Sequence, residues 1–118
     1  MQTEDSLKRY IGLGWILLGV LAAGAAPAGY HVVQKVTIGG PDKWDYILVD
    51  EAARRVYVTH FDQVNVLDAD SGAEVGKIAG LRGAHGVALA PKSGRGFITN
   101  GLADAVTIFD LKTLQKIG

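Results

Sequence analysis

The segment Arg55-Val56-Tyr57-Val58-Thr59-His60 returns forty residues later as Arg95-Gly96-Phe97-Ile98-Thr99-Asn100, and its surroundings return with it. Asp45 to Asp50 maps at the same offset onto His85 to Ala90. After a two-residue insertion, Val64-Asn65-Val66-Leu67-Asp68 maps onto Val106-Thr107-Ile108-Phe109-Asp110. Val64 and Val66, like Val106 and Ile108, alternate with polar neighbours, as half-buried strands do. A period of about forty with several short strands per unit is the pattern of a β-propeller blade. One such unit cannot bury both faces of its sheet, so the fold has to come from stacking copies. The expected fold class is all-β: four-stranded antiparallel blades in an incomplete ring, preceded by an N-terminal signal helix.

The repeat predicts an inner strand near 45–50, then strands near 55–60, 64–68 and 73–79. The second unit predicts strands near 85–90, 95–100 and 106–110, and another starting near Thr113. Sixteen glycines suit short strands and tight turns. Upstream, Val32, Val33, Val36 and Ile38 predict a strand that Gly39-Gly40-Pro41-Asp42 breaks. Lys8-Arg9, the apolar or small run Ile11 to Ala26, and Ala26-Pro27-Ala28 have the order of an export signal cleaved after Ala28. The competing reading is a retained membrane anchor, since Tyr10 to Tyr30 is uncharged and about long enough to span a bilayer. Glu4 and Asp5 are atypical in a signal's leading segment.

The expected organisation is a signal peptide or anchor over 1–28 and an N-terminal strand and linker over 29–44. A first blade follows over 45–80, and a second, truncated in its last strand, over 81–118. The strand within 29–44 would complete the last blade of a closed ring. On this reading the chain is the N-terminal piece of a longer propeller. The alternative is a two-blade protein that assembles by oligomerisation.

Tyr57-Val58-Thr59-His60 and Phe97-Ile98-Thr99-Asn100 resemble the Tyr-Val-Thr-Asn repeat of the YVTN β-propellers. Trp44-Asp45-Tyr46, Gly83-Ala84-His85-Gly86 and Gly94-Arg95-Gly96-Phe97 are similar to YncE-like periplasmic proteins, over roughly Tyr30 to Gly118. The resemblance implies a propeller and a periplasmic or secreted location. It implies no catalytic motif, although similar propellers include lactonases and parts of periplasmic redox enzymes.

Twelve basic and twelve acidic residues cancel, and no basic stripe points to nucleic acid. The absence of cysteine excludes disulfides and thiolate chemistry, and is compatible with an oxidising compartment. In a propeller the residues just before each inner strand gather at the channel mouth. Trp44, Asp45 and His85 fall there, and His60 and Asn100 end the second strands. These five are the candidate ligand-binding residues. Asp45 with His85 fits an acid–base pair or two metal ligands, or else two groups that satisfy loose backbone donors. Trp44 is either an aromatic platform or a packing residue between blades. His31, beside the cleavage site, is not a candidate.

Asp68-Ala69-Asp70-Ser71-Gly72 starts like a calcium loop, but its glycine is one position early and Ala79 stands where the bidentate Glu belongs. It reads as a turn. Gly94-Arg95-Gly96 lacks the remainder of a dinucleotide loop. No metal site, cofactor or catalytic constellation is expected. The leading function is an exported module that binds a small molecule or protein at the propeller mouth. The alternatives are a propeller hydrolase or redox-enzyme portion, and a surface protein held to the membrane if residues 11–30 are retained.

Overall fold

The computed structural model describes residues 29–40 and 43–118. The expected signal peptide and nearly all of the alternative anchor lie outside them, as do Pro41 and Asp42. The described part is all-β. Five antiparallel strands, β1 (Trp44–Asp50), β2 (Arg55–Asp68), β3 (Glu74–Ala90), β4 (Arg95–Asn100) and β5 (Ala105–Asp110), form one sheet in chain order. A single 3-10 turn at Pro91–Ser93 interrupts them.

The strand count differs from the expected one because two strands are continuous through positions where separations were expected. β2 contains both expected strands, near 55–60 and 64–68. Fully extended, its 14 residues would reach about 46 Å at roughly 3.3 Å per residue. Yet Ala69 N–H donates to Arg54 O at 2.9 Å, so the two ends meet and the strand doubles back. Phe61, with φ 51°, lies in the reversal. β3 likewise runs straight from the outer strand of the first repeat into the inner strand of the second. Its first part pairs with β2 up to Ala79, and from Val87 onward it pairs with β4. Ala84 touches both ladders, as the partner of Phe61 and of Asn100. Gly80 (φ 70°) and Gly83 (φ 68°) supply the left-handed backbone at this exchange of partners. The expected pair of separate sheets is therefore one hydrogen-bonded sheet with a hinge at 80–83.

Two further expectations are corrected. Residues 31–38 form no strand, because neither edge of the sheet pairs with them. Gln34 instead donates from Nε2 to Ser71 O at 2.9 Å, and Val36 lies over Gly72. Nor does a strand start near Thr113. That residue belongs to a turn, and pairing resumes only at the bridge between Lys116 and Phe109.

The repeat holds at the level of hydrogen bonds. Leu111 N–H donates to Gly94 O at 2.9 Å, as Ala69 N–H does to Arg54 O. Asp68 Oδ1 accepts from the Ser71 N–H at 2.7 Å and its hydroxyl at 2.7 Å. Asp110 Oδ1 does the same with Thr113, at 2.7 and 3.0 Å. The segment that starts like a calcium loop is thus a side-chain-closed turn, used twice.

One core spans both repeats. It contains Tyr57, Val64, Val66, Ile78, Leu81, Ala84, Ile98, Phe109 and Leu114. Tyr57 and Phe109 meet with ring centroids 6.0 Å apart. Phe109 is fully buried, which stabilises the fold by about 1.5–3 kcal/mol. Its ring lies directly over Gly96, where a Cβ would collide with it. Gly96→Ala should therefore lower the unfolding free energy by about 1–3 kcal/mol, read from urea denaturation.

The hydrogen bonds from Ser71 and Thr113 hold the Asp68 and Asp110 carboxyls below their usual range. An unfolded aspartate titrates near about 3.9, so on acidification the unfolded chain takes up these protons first. Their contribution is complete above that value and disappears as pH falls through the lower folded values. Urea midpoints should therefore fall below about pH 4, and the double variant Asp68→Asn, Asp110→Asn should show a flatter acid limb.

Candidate functional site

The site begins with two matching irregularities. The ladder between β1 and β2 shifts register between Trp44 and Ile47, and that between β3 and β4 shifts between Ala84 and Val87. The skipped residues are Asp45-Tyr46 and His85-Gly86. A bulge leaves backbone groups unpaired, and here a threonine satisfies them. Thr59 Oγ1 accepts from Tyr46 N–H at 2.8 Å and donates to Tyr46 O at 2.9 Å. Thr99 Oγ1 accepts from Gly86 N–H at 3.0 Å. This is why threonine recurs in the two motifs. Bulges bend a strand and re-aim its side chains, and each of these carries one member of the polar pair described next.

Asp45 and His85 meet directly. The Asp45 carboxylate is bonded to His85 Nδ1, and the side chains are 31% and 56% exposed. A carboxylate only accepts, so Nδ1 carries the proton and Nε2 is the ring's remaining nitrogen. That nitrogen lies close to Gly101, where a Cβ would approach it to 2.8 Å. His85 borders two open depressions. One, of about 350 Å³, is also lined by Thr99, Asn100, Gly101 and Asp104. The other, of about 310 Å³, is lined by Trp44, Asp45, Phe61 and Leu102 among others.

The other candidates have different surroundings. Trp44 is 46% exposed and stacks on the His60 ring at 3.5 Å with a 19° tilt. His60 itself is fully buried. Its Nδ1 faces Gln63 Nε2 at 3.4 Å, and its Nε2 has no partner among the described residues. Asn100 is 4% exposed and donates from Nδ2 to Thr107 Oγ1 at 2.9 Å. Its Oδ1 is likewise unpartnered among the described residues. The structure thus brings Asp45 and His85 together at an accessible surface, with Asn100 in the adjoining wall. His60 is sealed beneath Trp44.

A polar chain that the repeat pattern does not single out runs from half-buried Gln63 through buried Asn65 to exposed Glu74. Gln63 Nε2 donates to Asn65 Oδ1 at 3.1 Å, and Asn65 Nδ2 donates to Glu74 Oε2 at 2.6 Å. Asn65 is fully buried. Its only sequence signal is that its repeat counterpart, Thr107, is also a hydrogen-bonding residue. Among the described residues, no three or more His, Asp or Glu side chains converge as a metal-binding group. Comparison with protein-family models, curated proteins and solved structures returns no match to this chain.

The contrast between the histidines is directly measurable. Diethylpyrocarbonate should modify His85 in the folded protein and leave His60 untouched. Trp44→Ala should make His60 reactive, read by peptide mass spectrometry.

Proposed function

We propose that this chain is an exported ligand-binding module of the YVTN-repeat β-propeller kind, similar to YncE-like periplasmic proteins. The ligand is held where the inner strands begin. The observation that carries this reading is the bond between Asp45 and His85. These residues occupy one repeat position, each stands on a threonine-clipped bulge, and together they leave His85 Nε2 beside an open depression. Export rests on Lys8-Arg9, the apolar run to Ala26 and the small-residue site at Ala28, and places the domain in the periplasm or outside the cell. The exposed partners at the mouth are an acid, an imidazole and the half-exposed ring of Trp44. They suit a small polar molecule with an apolar face.

The same pair favours a second reading, a hydrolase. Asp45 orients the ring and holds its proton on Nδ1, which leaves Nε2 to take a proton from water or a hydroxyl. A lactone or ester is the substrate class for that chemistry.

One variant tests both readings. The wild-type full chain is screened for binding of small hydroxylated and carboxylated compounds, and for hydrolysis of simple lactones. His85→Ala should weaken the binding found by at least about tenfold, or about 1.4 kcal/mol, and abolish any lactone turnover. Its unfolding free energy should stay within about 0.5 kcal/mol of wild type, because the residue is exposed. A stability loss of about 1–3 kcal/mol with binding and turnover unchanged would make the pair a purely structural clip and overturn the proposal.

A further inference from the structure

The depression of about 310 Å³ beside the Asp45–His85 pair carries two opposite charges, those of Lys43 and Asp45. They are not joined to each other, and Lys43 has no acidic partner among the described residues. Its ammonium group lies over the Phe61 ring, 4.4 Å from the centroid. A ring face attracts a cation but offers no oxygen to its three N–H donors. Asp45 uses Oδ2 for His85 Nδ1, and its Oδ1 has no hydrogen-bond partner among the described residues.

Apolar side chains complete the depression. Phe61 is half-buried and holds φ 51°, a left-handed backbone that bulky residues rarely adopt. Its counterpart in the second repeat is Gly101, so the ring belongs to this one position and not to the repeat. Leu102 is 61% exposed. Its N–H donates to Arg82 O at 3.1 Å, and its side chain lies over Gly83, where a Cβ would come within 2.8 Å of it. A backbone bond and a missing side chain thus hold Leu102 at the depression, although it faces water there.

We infer that this depression takes a free α-amino acid with an apolar side chain, an inference that rests on the reading of the Asp45–His85 site as a ligand site. One cation and one anion that do not pair with each other are matched by a ligand carrying the opposite charges side by side. An α-amino acid carries them across a single carbon. Its carboxylate accepts from Lys43, and its ammonium group donates to Asp45 Oδ1. Its side chain lies against Phe61 and Leu102 and removes their exposed surface from water. A simple carboxylate would meet Lys43 but be repelled by Asp45. A simple amine would meet Asp45 but be repelled by Lys43.

Titration calorimetry on the full chain with L-phenylalanine, 3-phenylpropionate and 2-phenylethylamine tests this. The three share a ring and differ in charge. L-Phenylalanine should bind at least about tenfold more tightly than either of the others. Lys43→Met should remove its advantage over 2-phenylethylamine, and Lys43→Arg should restore it. Asp45→Asn should remove its advantage over 3-phenylpropionate. L-Serine, which leaves Phe61 and Leu102 uncovered, should bind at least about tenfold more weakly than L-phenylalanine. Both substituted positions are exposed, so the strand circular-dichroism signal should be retained. The inference is overturned if 3-phenylpropionate binds as tightly as L-phenylalanine, or if Lys43→Met leaves the binding of L-phenylalanine unchanged. Absence of L-phenylalanine binding also overturns it. The ligand-site reading survives that outcome if another small compound binds and His85→Ala weakens it, and falls with it if His85→Ala weakens nothing.

Discussion

The first repeat buries one side of its sheet only because the second lies against it. Tyr57, Val64, Val66 and Ile78 would face water without Ile98, Phe109 and Leu114. At roughly 25 cal/mol per Å² of apolar surface removed from water, that seam outweighs any single hydrogen bond in the molecule. The hinge glycines and the doubled-back β2 are arrangements that let a short chain bring two matching units into this contact. Gly96 and Gly76 serve it from opposite sides. One gives up its side chain to the Phe109 ring, and the other receives Leu114.

The polar site depends on the same repetition. A threonine hydroxyl that replaces a missing ladder bond allows a bulge at the start of each inner strand. The bulge turns one residue out of the strand's regular alternation. Because this happens twice at one repeat position, the two released residues lie next to each other. They differ in chemistry, one an acid and one an imidazole, so their meeting produces a hydrogen-bonded pair. Two identical acids at these positions would repel instead.

The comparison of His60 with His85 shows how far position in the repeat predicts environment. His60 and Asn100 hold one repeat position, and both are buried, each with a polar atom left unpartnered among the described residues. That similarity follows from strand alternation, which sends residues 58 and 60, like 98 and 100, to one side of the sheet. What covers them does not follow. Trp44 closes over His60, but the equivalent residue of the second repeat is Ala84, which has no ring to stack.

The all-β class, the repeat and the turns at Asp68 and Asp110 were legible in the amino-acid sequence. Alternating apolar residues, glycine placement and an acid beside Ser or Thr act over a few neighbouring residues, so a linear reading can find them. The juxtaposition of Asp45 with His85 was legible only as equal positions in a repeat, and their bond required the packing of β1 beside β3. Three features were decided by tertiary structure alone. Residues 31–38 have the pattern of a strand, but a strand needs a partner edge, and neither edge of the sheet takes them. β3 continues through Gly80 and Gly83 because backbone pairing, which depends on what lies alongside, changes partner without a loop. The chain from Gln63 through Asn65 to Glu74 is ordinary polar sequence until folding buries Asn65 at its middle and makes that residue's hydrogen bonds obligatory.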